Sequence, residues 1–459
     1  MATVSTFFLS PNTVLSLVGF LHGPDKTVPN PAEDWREATV NVVIPALNEE
    51  ANIALCLSSI AKQTKKPQKI ILVDDGSNDR TVEFAEKFSQ LNGLDVLIIQ
   101  RDHPIGKTPT IKRQAREFEA DVEFILDGDT VLESDNYIER VVEELYKGKG
   151  IASACGTILP LRDRDRNHLL DNTASLQKFM AEAPDAPMFP KVNWEHHIQR
   201  GISNLYREVL YMLLQRFIYR GQLTFFGSIL NPVGCAVAYR RSYVKNLFDK
   251  YEPILGDNLT NSEDIFIGFA MLDQGFRNIQ LDDVIARSQE PEASRLPHQL
   301  YMWSSSFLQT CYYFDGLMRS PFKAFKRFRK ERSIPQDILD KRKIHEQYRQ
   351  PFGDAYTREY GRPIGWVMFM SALEKIFFPV IVIVMLLLQR WEPLGITLAV
   401  ESVVALIALA ISAKGYRLEF LLKGIALTPV RYLVILFDFV TMLRFAADIW
   451  IFKNKRWRK

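Results

Sequence analysis

The chain has 459 residues, of which 47% are hydrophobic and 24% are charged, and its formal net charge is +3. This length allows two or three structural units, and so small a net charge gives no general reason to expect a nucleic-acid partner. The four cysteines, Cys56, Cys155, Cys235 and Cys311, are far apart and form no C-x-x-C pair. Their spacing favours neither a zinc site nor a disulfide framework, and a reducing compartment suits the chain best.

Residues 1–39 form a mildly apolar N-terminal segment. Its opening stretch, "MATVSTFFLSPNTVLSLVGFL", lacks the basic region that begins a signal peptide, and Pro11 and several polar residues interrupt it. We expect the segment to pack against the body of the protein or the bilayer surface, with a membrane span as the alternative.

Strand-like and helix-like segments alternate through residues 40–315. Four apolar runs, "TVNVVIP", "KIILV", "LDVLII" and "VEFIL", are separated by segments with helical periodicity such as "ANIALCLSSIAKQ". Strands that are apolar on both faces and alternate with helices are typical of βαβ units, so the predicted fold is α/β with a mostly parallel, Rossmann-like sheet. Ligands of such sheets bind at the carboxyl ends of the strands, where this chain has "PALNEE", "DDGSND" and "DGDT".

Two carboxylates one residue apart, Asp127 and Asp129, follow the fourth predicted strand. A turn explains them structurally, because Asp and Gly favour turns and Asp can cap a helix. The functional interpretation is a divalent-cation site, since Mg²⁺ or Mn²⁺ binds one or two carboxylates together with phosphate oxygens. Gly128 between them would let a diphosphate approach the backbone closely.

Acidic residues also follow the first two predicted strands. Asp74 and Asp75 begin a stretch that reads equally well as a structural turn or as a set of acceptors for a base or ribose. Glu49 lies at the neighbouring strand end, where the helix macrodipole alone would favour an acid in the first turn.

Two later motifs combine a helical pattern with polar groups suited to a binding site. In "NSEDIFIGF", Glu263 and Asp264 exceed what capping a helix needs, and a carboxylate on a pocket floor can accept the proton of an attacking hydroxyl. In "RLPHQLYMW", Gln299 and Trp303 are four residues apart and share a helix face. Trp303 is either a core residue or a platform for a sugar ring, with Gln299 fixing a hydroxyl or phosphate.

Five motifs, "VVIPALNEE", "ILVDDGSNDRT", "ILDGDTVL", "NSEDIFIGF" and "QLYMW", occur in the order and approximate spacing of those in membrane-bound family 2 glycosyltransferases. The chain resembles the group that contains chitin, hyaluronan and cellulose synthases and ceramide glucosyltransferases. The resemblance covers most of residues 40–310 and the C-terminal position of the membrane segments. It implies a GT-A-type domain, a nucleotide-sugar donor, commonly a UDP-sugar, and Mg²⁺ or Mn²⁺.

The resemblance also implies roles for single residues. On the donor side, Asp75, with Asp74 and Glu49, would bind the nucleoside, and Lys107, at a Gly-Lys element, would lie near the phosphates. Asp127 and Asp129 would form the D-x-D pair that holds the metal ion.

On the acceptor side, Asp264 would match the catalytic base of the family, with Glu263 beside it in the substrate site. Gln299 and Trp303 would match the Q-x-x-R-W motif. Met302 stands where this motif has arginine, and methionine supplies neither the charge nor the fork of donors. Arg295 is a candidate substitute. The departure weakens the case for a processive polymerase more than the case for sugar transfer.

Residues 316–362 form a basic linker that contains Phe322, Phe325 and Phe328. It reads either as a solvated helical face or as a segment that contacts an anionic membrane surface. Within the C-terminal part, residues 363–459, the stretches 366–388 and 394–413 are each long enough to cross about 30 Å of hydrocarbon.

A third apolar stretch, 432–452, contains Asp438, Arg444 and Asp448, which make a simple span costly. The flanking basic segments favour two crossings followed by an interfacial helix, with a hairpin within 416–452, and so four crossings, as the alternative. An integral membrane protein with a cytoplasmic catalytic domain is predicted.

The sequence thus predicts an inverting glycosyltransferase that moves a sugar to a growing polysaccharide or a lipid-linked acceptor. A non-processive lipid glycosyltransferase of the ceramide type and a non-catalytic, nucleotide-sugar-binding scaffold are the alternatives. A polysaccharide product would also call for polymer-export subunits. A dinucleotide-dependent dehydrogenase is disfavoured, because "PALNEE" follows the first strand where that fold has a glycine-rich loop.

Overall fold

The computed structural model describes residues 8–22, 34–148, 150–190, 194–255, 262–333 and 351–453. Four parts of the sequence predictions lie outside these ranges: residues 1–7 and 23–33 of the N-terminal segment, Asn261 of the "NSED" motif, residues 334–350 of the basic linker, and the basic C-terminus from residue 454 onward.

An eight-stranded mixed sheet forms the centre of the α/β domain, with the strand order β3-β2-β1-β4-β7-β6-β8-β5. Four of the seven neighbouring pairs are parallel, and strands β1 to β4 form one continuous parallel block. The strands are β1 (Val40–Ala46), β2 (Lys69–Asp74), β3 (Val96–Gln100), β4 (Val122–Leu126), β5 (Thr130–Leu132), β6 (Ile151–Pro160), β7 (Ala236–Arg240) and β8 (Arg277–Ser288).

The four predicted strands are confirmed as β1 to β4, and their apolar runs explain why. All five residues of β4 are buried, as are four of the five residues in "KIILV" of β2, because helices cover both faces of the sheet. The early helices are α2 (Ile53–Ala61), α3 (Thr81–Asn92), α4 (Lys107–Glu117), α5 (Tyr137–Tyr146), α6 (Asp163–Asn172) and α7 (Ala174–Glu182).

The second half of the domain adds helices around the carboxyl edge of the sheet. The long helix α8 (Trp194–Leu213) continues through a π-helical turn, Leu214–Ile218, into α9 (Tyr219–Phe226). The helices described between α9 and the apolar C-terminal part are α10 (Arg241–Leu255), α11 (Glu263–Asp273), α12 (Leu296–Tyr313), α13 (Asp315–Met318), α14 (Ala324–Glu331) and α15 (Asp354–Tyr360).

The N-terminal helix α1 (Pro11–His22) packs against the body of the protein, as expected. Its 12 residues span about 18 Å, which is too short to cross a membrane. The backbones of α1 and α9 approach so closely that a Cβ on Gly19 would lie 2.6 Å from the Cα of Gly221. This contact therefore requires glycine, and it leaves the apolar side chains of Leu17, Val18 and Leu21 exposed on the outer face of α1.

Within the described ranges, three helices are long and apolar enough to cross a membrane: α16 (Gly365–Leu387), α17 (Trp391–Ser412) and α18 (Arg417–Trp450). Helix α18 runs unbroken for 34 residues, so the alternative of a hairpin within 416–452 is wrong. The first part of α18 contacts α8 through a 2.6 Å ion pair between Lys423 and Glu208. Its later part contacts α12, because Asp438 accepts a hydrogen bond from Ser304. Helix α18 therefore packs along the α/β domain over much of its length.

A buried ion pair joins the apolar helices to α12. Lys375 of α16 lies 2.7 Å from Asp438 of α18, and their side chains are 2% and 9% exposed. The same carboxylate accepts the hydrogen bond from Ser304 of α12, so both of its oxygens have partners. A buried charge left without its partner costs several kcal/mol, which makes this junction sensitive to single substitutions.

We expect Asp438→Ala to destabilise the protein by about 3–5 kcal/mol, because it leaves the Lys375 ammonium buried and unpaired. The double variant Lys375→Met/Asp438→Leu removes both charges and should recover most of that loss. Unfolding midpoints of the two variants in the same detergent test this. A double variant no more stable than Asp438→Ala would show that the pair is not the source of the effect.

Stability should also depend on pH through Glu123 of β4. This side chain is 2% exposed and neither carboxylate oxygen has a hydrogen-bond partner among the described residues. Desolvation by burial raises its pKa well above the ordinary value, and Arg241 opposes the shift only in part. The folded state therefore binds a proton more tightly, so this contribution to stability is complete below about pH 4.3 and is lost as the pH rises toward the folded pKa.

Glu123→Gln cannot ionise and should lose less stability as the pH rises. Relative to this variant, the wild type should lose about 1.4 kcal/mol per pH unit within that window. Melting temperatures between about pH 5 and about pH 8 measure the difference, with exposed Glu86→Gln as the control. Parallel pH profiles for the wild type and Glu123→Gln would contradict the prediction.

Candidate active site

The loops after β1, β2 and β4 meet at the carboxyl edge of the sheet, as the sequence predicted for parallel strands. The Asp75 N–H donates to the carbonyl of Ala46 at 2.9 Å, and the Gly128 N–H donates to the carbonyl of Pro45 at 3.3 Å. Gly128 also lies against Glu49, since a Cβ on this glycine would be 3.1 Å from the Glu49 Cγ. The three acidic loops are therefore in direct contact.

The D-x-D loop faces the start of α4 and the start of α11. Lys107 Nζ lies 2.7 Å from an Asp127 carboxylate oxygen, 2.8 Å from a Glu263 carboxylate oxygen and 3.1 Å from the Gly234 carbonyl. Asp129 accepts a hydrogen bond from Thr130 at 3.1 Å. One ammonium group thus lies between carboxylates from two different loops.

The electrostatics of this cluster favour additional positive charge. Desolvation raises the pKa of Asp127 to about 7, with Lys107 opposing the shift and Asp129 adding to it. Desolvation also raises the pKa of Glu49 to about 8, and the carboxylates of Asp129 and Asp127 push it in the same direction. The pKa of Asp129 is raised by desolvation as well. Lys107 alone therefore does not neutralise the carboxylates around it.

Asp264 lies in the first turn of α11, and backbone donors hold its carboxylate. One oxygen accepts the Ile265 N–H at 2.8 Å, and the other accepts the Gly234 N–H at 3.2 Å. A Cβ on Gly234 would lie 2.8 Å from the Asp264 Cβ, so this close approach needs glycine. The carboxylate is fixed in orientation at the wall of a cavity and is well placed to accept a proton.

Gln299 and Trp303 lie on one face of α12, as predicted, and contact a residue that sequence reasoning missed. The fully buried Arg207 of α8 donates to the Gln299 amide oxygen, and its guanidinium carbon lies 4.2 Å from the Trp303 ring centroid. Arg207 Nε also lies 3.1 Å from a carboxylate oxygen of Glu290. Arg207 therefore positions both residues of the motif. No motif near Arg207 predicts these contacts, because Glu290, Gln299 and Trp303 are all more than 80 residues away in the chain.

One open cavity brings most of these side chains together. Its lining includes seven of the ten predicted site residues, namely Lys107, Asp127, Asp129, Glu263, Asp264, Gln299 and Trp303. Arg295, the candidate substitute for the missing arginine, lines the same cavity. Met302, in contrast, is buried in the core.

Glu49, Asp74 and Asp75 do not line this cavity. The Asp75 carboxylate accepts hydrogen bonds from the Arg101 guanidinium at 2.7 Å and from the backbone N–H groups of Ile105 and Gly106 at 3.0 and 2.8 Å. Asp74 accepts the Ser77 N–H at 3.3 Å. In the structure these two carboxylates therefore stabilise their own loops, and Asp75 fixes the turn that leads into Lys107.

The D-x-D carboxylates suit a divalent cation that a ligand helps to bind. Among the described residues, no three His, Cys, Asp or Glu side chains form a metal-binding group. Asp127 and Asp129 supply hard oxygen ligands in a cluster that has excess negative charge. Mg²⁺ commonly binds one or two carboxylates and completes its shell with phosphate oxygens and water, so the pair fits such an ion.

A family model described as Glycosyl transferase family 2 matches residues 41–248. An N-acetylglucosaminyltransferase of Azorhizobium caulinodans is 24% identical over 277 residues, which cover 59% of this chain and 60% of that protein. An N-acetylglucosaminyltransferase of Bradyrhizobium diazoefficiens is 26% identical over 277 residues, which cover 59% of this chain and 49% of that protein. The chain thus matches about half to three fifths of the length of these relatives.

Among solved structures, a mannosyltransferase from Pyrobaculum calidifontis in complex with GDP-Man and Mn²⁺ is 14% identical, with 96% of each chain covered and a TM-score of 0.49. Likenesses this distant support no statement about the substrates of this chain. The family match and the observed sheet agree with the motifs read from the sequence. Residues 41–248 thus match a glycosyl transferase family 2 domain, the domain has a GT-A-type α/β fold, and among the described residues it is followed by three helices long and apolar enough to cross a membrane.

Proposed function

We propose that this chain is an inverting glycosyltransferase that moves a sugar from a nucleotide-sugar, such as a UDP-sugar, to an acceptor at the membrane. The observation that carries the proposal is the placement of the Asp264 carboxylate in one cavity with Asp127, Asp129 and Trp303. A base, a diphosphate-binding pair and an aromatic platform are the groups that a single sugar transfer needs.

In this reaction Asp264 accepts the proton of the acceptor hydroxyl. The acceptor oxygen forms a bond to C1 of the sugar while the bond from C1 to the diphosphate oxygen breaks, and the nucleoside diphosphate leaves. Attack from the face opposite the leaving group inverts the configuration at C1. The backbone donors to Asp264 support this role, because they hold the carboxylate oxygens in a fixed direction.

On the donor side, Lys107 is the cation available to the phosphates. Glu263 and Asp127 hold its ammonium group at the cavity wall. Arg295 lines the same cavity and is the candidate substitute for the arginine of the Q-x-x-R-W motif, which is Met302 in this chain. A bound Mg²⁺ or Mn²⁺, held by Asp127 and Asp129, would neutralise charge on the leaving diphosphate. Glu49, Asp74 and Asp75 remain candidate nucleoside-binding residues.

The acceptor is a lipid-linked molecule or a growing polysaccharide. The apolar helices next to the cavity favour the lipid-linked molecule. Apolar helices pack directly against α8 and α12, the two helices that flank the cavity. We place the domain on the cytoplasmic side, because the basic segments that flank the apolar helices favour that orientation. Polymer-export subunits remain a prediction for the polysaccharide case.

Asp264→Asn should reduce sugar transfer by about 10²- to 10⁴-fold, because the amide cannot accept the proton. Binding of the donor should change little. Transfer of label from a panel of nucleotide-sugars, with membranes that contain the protein, measures the first effect. Dividing the product into organic-soluble and high-molecular-weight fractions distinguishes a lipid acceptor from a polymer.

The matched control is Asp283→Asn, an exposed carboxylate of β8 that pairs with Arg140 outside the cavity. It should transfer sugar at the wild-type rate. Normal turnover by Asp264→Asn would refute the assignment of the base, and absence of transfer by the wild type from any donor would favour the scaffold alternative.

Metal removal tests the D-x-D pair separately. A chelator should abolish transfer and added Mg²⁺ or Mn²⁺ should restore it. Asp129→Asn should raise the metal concentration needed for half-maximal activity by about tenfold or more, because it removes a carboxylate ligand. Asp135→Asn, at an exposed position after β5, is the control. Full activity in chelator would show that the carboxylates act without a metal ion.

A further inference from the structure

Helix α14 and the 3₁₀ turn before it, Ser320–Lys323, carry three exposed aromatic side chains. Phe322, Phe325 and Phe328 are 77%, 75% and 52% exposed. Residues three positions apart are neighbours on one side of an α-helix or a 3₁₀ helix, so the three rings lie along one side of this segment. We call this side of the segment the aromatic face.

The opposite side of α14 is polar and packed against the protein. Arg327 is 6% exposed, and its guanidinium donates hydrogen bonds to the carbonyls of Ser320 and Tyr360 at 3.3 and 3.2 Å. An amphipathic helix on a protein surrounded by water turns its apolar side inward and its charged side outward. Helix α14 does the reverse, which indicates that water is not the only surrounding of its outer side.

Two arginines accompany the rings on the aromatic face. The guanidinium carbon of Arg329 lies 5.5 Å from the ring centroid of Phe325, and that of Arg332 lies 4.2 Å from the ring centroid of Phe328. Neither arginine forms an ion pair with a carboxylate in the part of the chain that the structure describes. The aromatic face therefore presents two positive charges that no described acid neutralises.

The first turns of α16 fix the level of the aromatic face. The ring centroids of Phe322 and Phe369 are 5.4 Å apart, and Phe369 lies about 6 Å along the helix from Gly365, its first residue. A Cβ on Gly365 would lie 2.4 Å from the carbonyl oxygen of Leu317, so the start of α16 is in tight contact with the segment before α14. Trp366 beside it is 38% exposed, and tryptophan is enriched where a helix enters a bilayer.

We propose that the aromatic face of α14 inserts into the interfacial layer of the bilayer and that Arg329 and Arg332 bind the phosphates of anionic lipids there. Exposed aromatic rings beside unpaired arginines suit this layer, because the rings leave water while the guanidinium groups remain among charged headgroups. The alternative of a solvated helical face would leave three phenylalanine rings in water. The proposal depends on the insertion of α16 into the membrane and not on sugar transfer.

The test places a tryptophan probe on the aromatic face. Phe325→Trp is made in the full chain, which is reconstituted into nanodiscs of about one quarter phosphatidylglycerol and three quarters phosphatidylcholine. Brominated acyl chains, which quench tryptophan on contact, are carried by the phosphatidylglycerol in one sample and by an equal amount of phosphatidylcholine in the other. Brominated phosphatidylglycerol should quench the added fluorescence about twofold or more strongly, because the arginines concentrate anionic lipid around the probe. About 1 M salt should reduce this preference.

Three variants of the chain separate charge from contact. Arg329→Gln/Arg332→Gln in the Phe325→Trp background should remove the preference for the anionic lipid. Arg36→Gln/Arg113→Gln, which removes two exposed cations of the α/β domain, should retain it. The third variant, Ile407→Trp, places the probe at a 53% exposed position of α17, where both brominated lipids should quench it equally.

Each of the following outcomes would overturn the proposal. Quenching at Ile407→Trp but not at Phe325→Trp would show that the aromatic face lies outside the bilayer. Shielding of the Phe325→Trp probe from both brominated lipid and aqueous iodide would show that a protein surface covers it. Equal quenching by the two lipids would show contact without selection of anionic lipid, and an equal loss of preference in Arg36→Gln/Arg113→Gln would show an effect of net charge alone. Absence of quenching at both probe positions would refute the membrane insertion on which the proposal depends. No sugar is transferred in this assay, so its failure is distinct from failure of the proposed transferase activity.

Discussion

The active site depends on one electrostatic constraint, the enclosure of several carboxylates around the ammonium group of Lys107. Parallel strands bring these acids to one edge of the sheet, where water no longer separates them. Burial raises the pKa values of Glu49 and Asp127, and repulsion from the neighbouring carboxylates raises them further. The Asp75 carboxylate contributes from outside the cavity, because its hydrogen bonds to Ile105 and Gly106 fix the turn from which Lys107 extends.

Helices α8 and α12 each line cavities that differ in chemical character. Helix α12 presents Gln299 and Trp303 to the active-site cavity, while Leu300 lines an apolar cavity between α8, α17 and α18. Helix α8 has Glu208 on a cleft that Arg162 and Arg164 also line, and Val209 on the same apolar cavity. The residue before Glu208, Arg207, joins α8 to α12. Because an α-helix turns by about 100° per residue, adjacent residues can belong to different sites, and neither helix shows one simple polar face.

The sequence predicted the part of the fold that local patterns determine. Strands β1 to β4 are continuous apolar runs, and the acids that follow them mark the ligand edge of the sheet. Strands β5 to β8 were not predicted individually, because three of their pairings are antiparallel and join segments as far apart as residues 130 and 288. Their positions depend on tertiary packing, which a single sequence does not display.

The sequence predicted the candidate active site about as well as it predicted the fold. Seven of the ten proposed residues line one cavity, because motifs at strand ends and helix starts indicate position as well as chemistry. Arg207 was missed, since nothing near it in sequence indicates a partner on α12. The unbroken course of α18 was also not evident, because Asp438 reads as an obstacle to a helix in the membrane until its buried partners, Lys375 and Ser304, are known.

The position of Ser304 has a mechanical consequence. It is the residue after Trp303, and it donates its hydrogen bond to the carboxylate that also binds Lys375 of α16. A bilayer thicker or thinner than the apolar helices changes their tilt, at a modest cost per ångström of mismatch. A change in the tilt of α16 or α18 acts on α12 through the contacts of Asp438 with Lys375 and Ser304. Ser304 is adjacent in sequence to Trp303. Under the proposed function, the thickness of the host bilayer would thereby affect the orientation of Trp303.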